Sequence, residues 1–175
     1  WVKIYDHDYK GDSDPRIVIP FFDKSGNLIA AQGRAFNNTK LRYITVKVDK
    51  DSQKIYGLDR VKLNKRVYIV EGPFDSMFLD NCLAMAGSDV SDLSFIDDKV
   101  IVYDNEPRNR EIIKKMEKTV QNNIPICIWP SGLNYKDIND IIISGIDKDK
   151  LQSIIDENTY TGPVATLKLN MWKKI

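Results

Sequence analysis

Apolar and polar positions alternate in two different ways along this chain of 175 residues. Up to about residue 65 the pattern is β-like. Residues 16–22 (RIVIPFF) and 28–36 (LIAAQGRAF) read as two strands around the turn DKSGN, where Gly26-Asn27 suits positive φ. Residues 42–48 (RYITVKV) read as a third. Beyond Lys65 short apolar runs alternate with helical stretches. VYIV (67–70) precedes a helix expected over about 74–82, and LAMA (83–86) follows. VIVY (100–103) precedes a helix over about 107–122, then IPICIW (124–129), then a helix from about Asp137 and another over 148–158. In the 107–122 helix Ile112, Ile113, Met116 and Val120 share one face, with Arg110, Lys114 and Lys118 elsewhere. Such alternation predicts an α/β fold, a parallel sheet with helices on its faces. The expected organisation is a β-rich segment 1–65, an α/β domain 66–146 and a C-terminal helix and tail 147–175. The tail sequence TYTGPVATLKLNMWKKI suggests no role.

Composition changes this picture little. The net charge is +1, so any nucleic-acid binding must come from a local patch rather than from global charge. No apolar run reaches about 18 residues, so no spanning helix and no membrane partner are expected, and no secretion signal is visible. The chain starts at Trp1 and reads as part of something longer. Cys82 and Cys127 lie far apart in apolar contexts and are expected to be buried, reduced thiols. With His7 the only histidine, no zinc site is expected within this chain.

Candidate chemistry lies where strands end. VYIVEGPFD runs from an apolar strand into Glu71, and Gly72-Pro73 then opens a helix. VIVYDNE ends in Asp104 and Glu106, 33 residues after Glu71 for Asp104. A third acid-bearing turn, NYKDIND, brings Lys136, Asp137 and Asp140. Ligands bind parallel α/β sheets at the carboxyl ends of their strands. Carboxylates gathered there are hard oxygen donors suited to Mg²⁺. Each turn also has a plainer explanation. Asp104 or Asn105 would cap the helix after Pro107, and Asp137 would cap the next. The chain contains no G-x-x-x-x-G-K-[ST] and no G-x-G-x-x-G, which argues against P-loop and dinucleotide folds.

The ordered series VYIVEGPFD, VIVYDNEPRN and YKDIND resembles the Toprim domain shared by bacterial-type primases, topoisomerases and some nucleases. The upstream region is similar to the first half of the bacterial-type DNA primase core. Arg16, Pro20, Asp23, Gly26, Gly33, Arg34, Tyr43, Tyr56, Gly57 and Leu58 stand at matching places. CLAMAGSD and DNEPRNREI are similar to primases of large tailed bacteriophages. The resemblance covers about residues 14–158.

The resemblance implies a Toprim fold preceded by a small β-rich subdomain. It implies template-directed synthesis of short RNA primers on single-stranded DNA, a nucleotidyl transfer dependent on Mg²⁺ or Mn²⁺. Glu71, Asp104 and Glu106 would be the metal ligands and catalytic acids, supported by Asp137. Glu106 replaces the family's second aspartate, which leaves Asn105 as an alternative ligand. Arg34, Lys54, Arg108, Arg110 and Lys136 would bind nucleotide or DNA, and Tyr43 and Tyr56 would either stack on bases or serve as core or edge residues. Implied partners are ribonucleoside triphosphates, the template, a replicative helicase and a zinc-binding domain of the parent protein. The expected location is the cytoplasm, that of the host if the protein is phage-encoded. A Toprim nuclease and a non-catalytic single-strand or helicase-docking module are the rival readings.

Overall fold

The computed structural model describes residues 15–37, 40–48, 54–87 and 89–175. The chain divides into two compact units, Trp1–Arg60 and Val61–Ile175.

In the first unit β1 (Arg16–Phe22), β2 (Leu28–Ala35) and β3 (Tyr43–Lys47) form an antiparallel sheet in that order. The hairpin turn is closed by Asp23, whose carboxylate accepts from the Ser25 and Asn27 amides at 2.8 and 2.9 Å. Gly26 there adopts φ +83°, which a Cβ would oppose. A bulge between Phe21 and Phe22 shifts the register. Phe21 and Ile55 are fully buried, and the Tyr56 ring meets Phe21 edge-on at 5.5 Å.

The second unit is the expected α/β sheet. Its order is β5-β4-β6-β7-β8, built from β4 (Val67–Val70), β5 (Cys82–Ala84), β6 (Lys99–Ile101), β7 (Ile126–Cys127) and β8 (Thr159–Tyr160). The first four are parallel, and β8 pairs antiparallel with β7. All four residues of β4 are buried, as a central parallel strand requires. The chain leaves β4 for β5 on one side, then crosses to β6 on the other. Crossovers of one hand in opposite directions put the connecting helices on opposite faces. They also leave a crevice between the carboxyl ends of β4 and β6.

The helices are shorter than their patterns. α1 spans only Pro73–Ser76, not 74–82. Asn81, at φ +49°, turns the chain back, and its side-chain amide donates to the Lys62 and Arg66 carbonyls at 3.0 and 2.8 Å. β5 therefore begins at Cys82. α2 (Arg110–Gln121) buries Ile112, Ile113, Met116 and Val120, the predicted face, together with Thr119. Its cap is Asn109, which accepts from the Glu111 and Ile112 amides, so neither Asp104 nor Asn105 caps it. α3 (Ile138–Ile143) and α4 (Lys148–Glu157) pack on each other, and α1 on α3. Cys82 and Cys127 are buried and free, and burial pushes the Cys127 thiol up. No described helix is long and apolar enough to cross a membrane.

The tail, which carried no expectation, is structural. Thr159–Tyr160 supplies β8, and α5 (Gly162–Trp172) packs on α2. Ala165, Leu169 and Trp172 are its buried residues. Trp172 Nε1 donates to Asn105 Oδ1 at 3.0 Å, and the Lys174 amide to the Pro107 carbonyl at 2.8 Å. The tail thus braces the turn after β6. Replacing Trp172 with Ala removes a buried ring and orphans Asn105 Oδ1. The expected loss is about 3 kcal/mol in denaturant-measured stability. A change below 1 kcal/mol would show that α5 does not brace the turn.

Candidate active site at the switch point of the sheet

Glu71 directly follows β4, and its carbonyl accepts from the Ala86 amide at 3.0 Å, so its backbone is held by the strand beside it. Its side chain is only 22% exposed. Gly72 is extended (φ −109°), and its value here is space rather than conformation. A Cβ at Gly72 would stand 2.9 Å from Asp75 Oδ2. Asp75 lies at the end of the stretch VYIVEGPFD, four residues after Glu71. Its Oδ1 accepts from the Asn139 amide at 3.0 Å, which ties α1 to the first turn of α3.

Asp104 stands three residues past β6. The Val102 amide donates to the Ile69 carbonyl at 2.8 Å, which carries the pairing with β4 toward the turn. The carboxyl of Asp104 is pushed up to about 7. Burial is the largest cause, followed by the negative charges of Glu71, Asp75 and Asp137, with Lys136 opposing. Glu71, Asp75 and Asp137 are therefore each within electrostatic reach of Asp104. Asp137 also caps α3, accepting from the Asp140 amide at 2.8 Å, so its helix-cap reading holds as well.

Glu106 is engaged differently. Its Oε2 accepts from Asn109 Nδ2 at 2.9 Å, and Lys136 Nζ lies 3.5 Å from its Oε1. Asn105 is engaged at both side-chain polar atoms. Its amide donates to the Leu133 and Tyr135 carbonyls at 2.8 and 2.9 Å, and its oxygen accepts from Trp172. It clamps the loop 133–136 to the turn after β6. Its backbone amide adds a bond to the Lys136 carbonyl.

The donor set is four hard carboxylates, with the ionisation of Asp104 opposed by burial and by the charges of the other three, which fits a divalent cation. Among the described residues, no three His, Cys, Asp or Glu side chains stand close enough, as they lie, to enclose an ion. One of Glu71's oxygens is instead taken by Lys115 Nζ at 2.6 Å.

The expected cations fall in both units. Arg108 and Arg110 are exposed at the start of α2, and Lys136 is exposed beside Glu106. In the first unit Arg34 lies opposite Tyr43 across β2 and β3, its guanidinium 5.6 Å from that ring's centroid. Tyr43 is a β3 residue, 42% exposed, and not a core residue. Arg60 lies 4.3 Å from the Tyr56 ring centroid. Lys54 is half-buried beside Ile55. Sequence reasoning missed Asp75 and Lys115. The i+4 spacing from Glu71 could have found Asp75; nothing local marks Lys115.

No family model matches the chain. It is 36% identical over 168 residues to the DNA primase of Enterobacteria phage T4, covering 93% of this chain and 49% of that protein. The chain thus spans about half the length of the curated relative it matches. Among solved structures, the Aquifex aeolicus primase (zinc-binding and RNA polymerase domains) superposes with a TM-score of 0.64 at 23% identity, over 83% of this chain and 41% of that one. A DnaG primase catalytic domain bound to single-stranded DNA gives 0.60 at 18%, over 82% and 51%. The primase fragment of the bacteriophage T7 primase-helicase protein gives 0.63 at 14%, over 83% and 64%. At these identities the structures speak for the fold alone, and the fold is that of primase catalytic cores. The resemblance read from the motifs to bacterial and phage DNA primases is borne out.

The raised carboxyl has a measurable consequence. A carboxylate whose folded pKa lies above its unfolded value adds stability only while protonated, and loses it as pH rises toward 7. Without divalent cations, Asp104→Asn should stabilise the chain by about 1–2 kcal/mol at pH 8 and leave it nearly unchanged at pH 4. Thermal melts at the two pH values in EDTA check this; an equal shift at both would sink the electrostatic account.

Proposed function

We propose that this chain is the nucleotidyl-transfer core of a DNA primase, which joins ribonucleotides on single-stranded DNA. The observation that carries the reading is the set of four carboxylates at the β4/β6 switch point, with Asp104 pushed up to about 7 by burial first and by its acidic neighbours second. The similarity to the phage T4 DNA primase supports it.

Glu71 and Asp104 would be the principal ligands of Mg²⁺ or Mn²⁺, with Asp75 and Asp137 completing the anionic shell and Glu106 beside it. Such an ion, when bound, supplies neutralising charge for a triphosphate and for a developing oxyanion. The chain's own groups do the positioning. β4 and β6 are rigid supports, with Glu71 directly after β4 and Asp104 three residues after β6. Asn105 fixes the loop that delivers Lys136 and Asp137. Arg108 and Arg110, exposed at the start of α2, would receive phosphate oxygens, with Lys136 assisting. In the first unit Arg34 and Lys54 would grip template phosphates, and Tyr43, with Arg34 at its ring, would stack a base. Ribonucleoside triphosphates and single-stranded DNA are thus the proposed substrates. A replicative helicase and a zinc-binding domain are the proposed partners, acting at a replication fork in the cytoplasm.

The test is primer synthesis. The chain is incubated with single-stranded templates, labelled ribonucleotides and Mg²⁺ or Mn²⁺, with a zinc-binding domain supplied in trans. Short labelled oligoribonucleotides are expected. Glu71→Gln should lower their yield on the order of 100-fold or more. Cleavage of the DNA instead of synthesis would assign the acids to a nuclease. Neither product would leave a binding module.

A further inference from the structure

Lys115 lies 44 residues from Glu71 in the chain, yet its ammonium touches that carboxylate at 2.6 Å. The two sit on the wall of a cavity of about 650 Å³, which Lys99, Lys118, Asp89 and Tyr103 also line. The partners are unequal. Glu71 is anchored behind β4 and its side chain is 22% exposed, whereas that of Lys115 is 53% exposed, on a flexible stem from α2. Of the two, the lysine is the one free to move.

The oxygen it holds matters. Glu71 is the first of the charges that raise Asp104. An ammonium hydrogen-bonded at 2.6 Å neutralises part of the negative charge that would draw a magnesium ion to this carboxylate. The two cations therefore compete for the charge of one side chain. Lys118, one turn along the same helix, offers a contrast. It pairs with Asp89 at 3.1 Å instead.

We propose that Lys115 is a built-in counter-ion for Glu71, which competes with a divalent cation for the charge of this carboxylate. The inference rests on the reading of the acids as a cation site. Lys115 is on this account a positioning residue. It holds Glu71 in place and lowers the net charge of the cluster while no ion is bound. It also weakens apparent ion affinity, because its positive charge offsets that of Glu71 and repels an incoming cation.

The test measures Mn²⁺ binding to the whole chain by electron paramagnetic resonance, without nucleotide or DNA. Lys115→Met should bind Mn²⁺ about 3–10-fold more tightly than the wild type. Lys115→Arg, which can keep the pair, should stay close to wild type. Lys118→Met removes the same charge from the same helix without touching Glu71 and should change affinity less than twofold. Equal tightening in both methionine variants would replace the counter-ion with a general field and overturn the proposal, as would unchanged or weaker binding in Lys115→Met. Wild-type Mn²⁺ binding that Glu71→Gln does not weaken would overturn the cation-site reading itself. Thermal melts confirm that each variant is folded before titration.

Discussion

Like charges held near one another are the constraint around which the second unit is arranged. Glu71, Asp75, Asp104 and Asp137 come from three separate turns, and Asp104 is partly buried among them. Ionised Asp104 opposes folding in this setting, because its carboxylate would be better hydrated in the open chain. Something must hold them together. The supports are apolar: β4 is buried along its whole length, and Val100, Ile101 and Val102 are buried beside it. Polar fastenings act at the ends of these strands. The Ala86 amide binds the Glu71 carbonyl, and the Asn139 amide binds Asp75.

Cations temper the repulsion. Lys136 acts on Asp104 and reaches Glu106, and Lys115 holds Glu71. The long side chain of Glu106 suits this arrangement, since it extends toward Asn109 and Lys136. Asn105 sits between Asp104 and Glu106 in sequence, but its work is mechanical. It joins the turn after β6 to the loop 133–136 and to Trp172 of α5. The tail matters for the same reason: without α5 the Asn105 oxygen would lose its donor.

Much of this was legible in the residues. The alternation of strands and helices after residue 65, the apolar face of α2 and the acids at strand ends all follow from local pattern. Element lengths were less legible. α1 reads as a longer helix because Met77, Phe78 and Leu79 continue an apolar pattern, but Asn81 anchors the chain to Lys62 and Arg66 and ends it. The cap of α2 was misread because Asp104, Asn105 and Asn109 are all good capping residues, and only the path of the turn selects Asn109.

The sequence by itself determined the parallel sheet, the place of Glu71 and Asp104 at strand ends, and Asp137 at a helix start. Hydrophobic periodicity and turn chemistry are properties of neighbouring residues. Only the tertiary structure decided which charges meet. That Glu71 faces Lys115, that Asp75 is tied to α3, that Asn105 is a clamp and that Trp172 closes it depend on contacts across 28 to 67 residues of chain. Such contacts follow from strand order and helix packing, which no single stretch of sequence encodes.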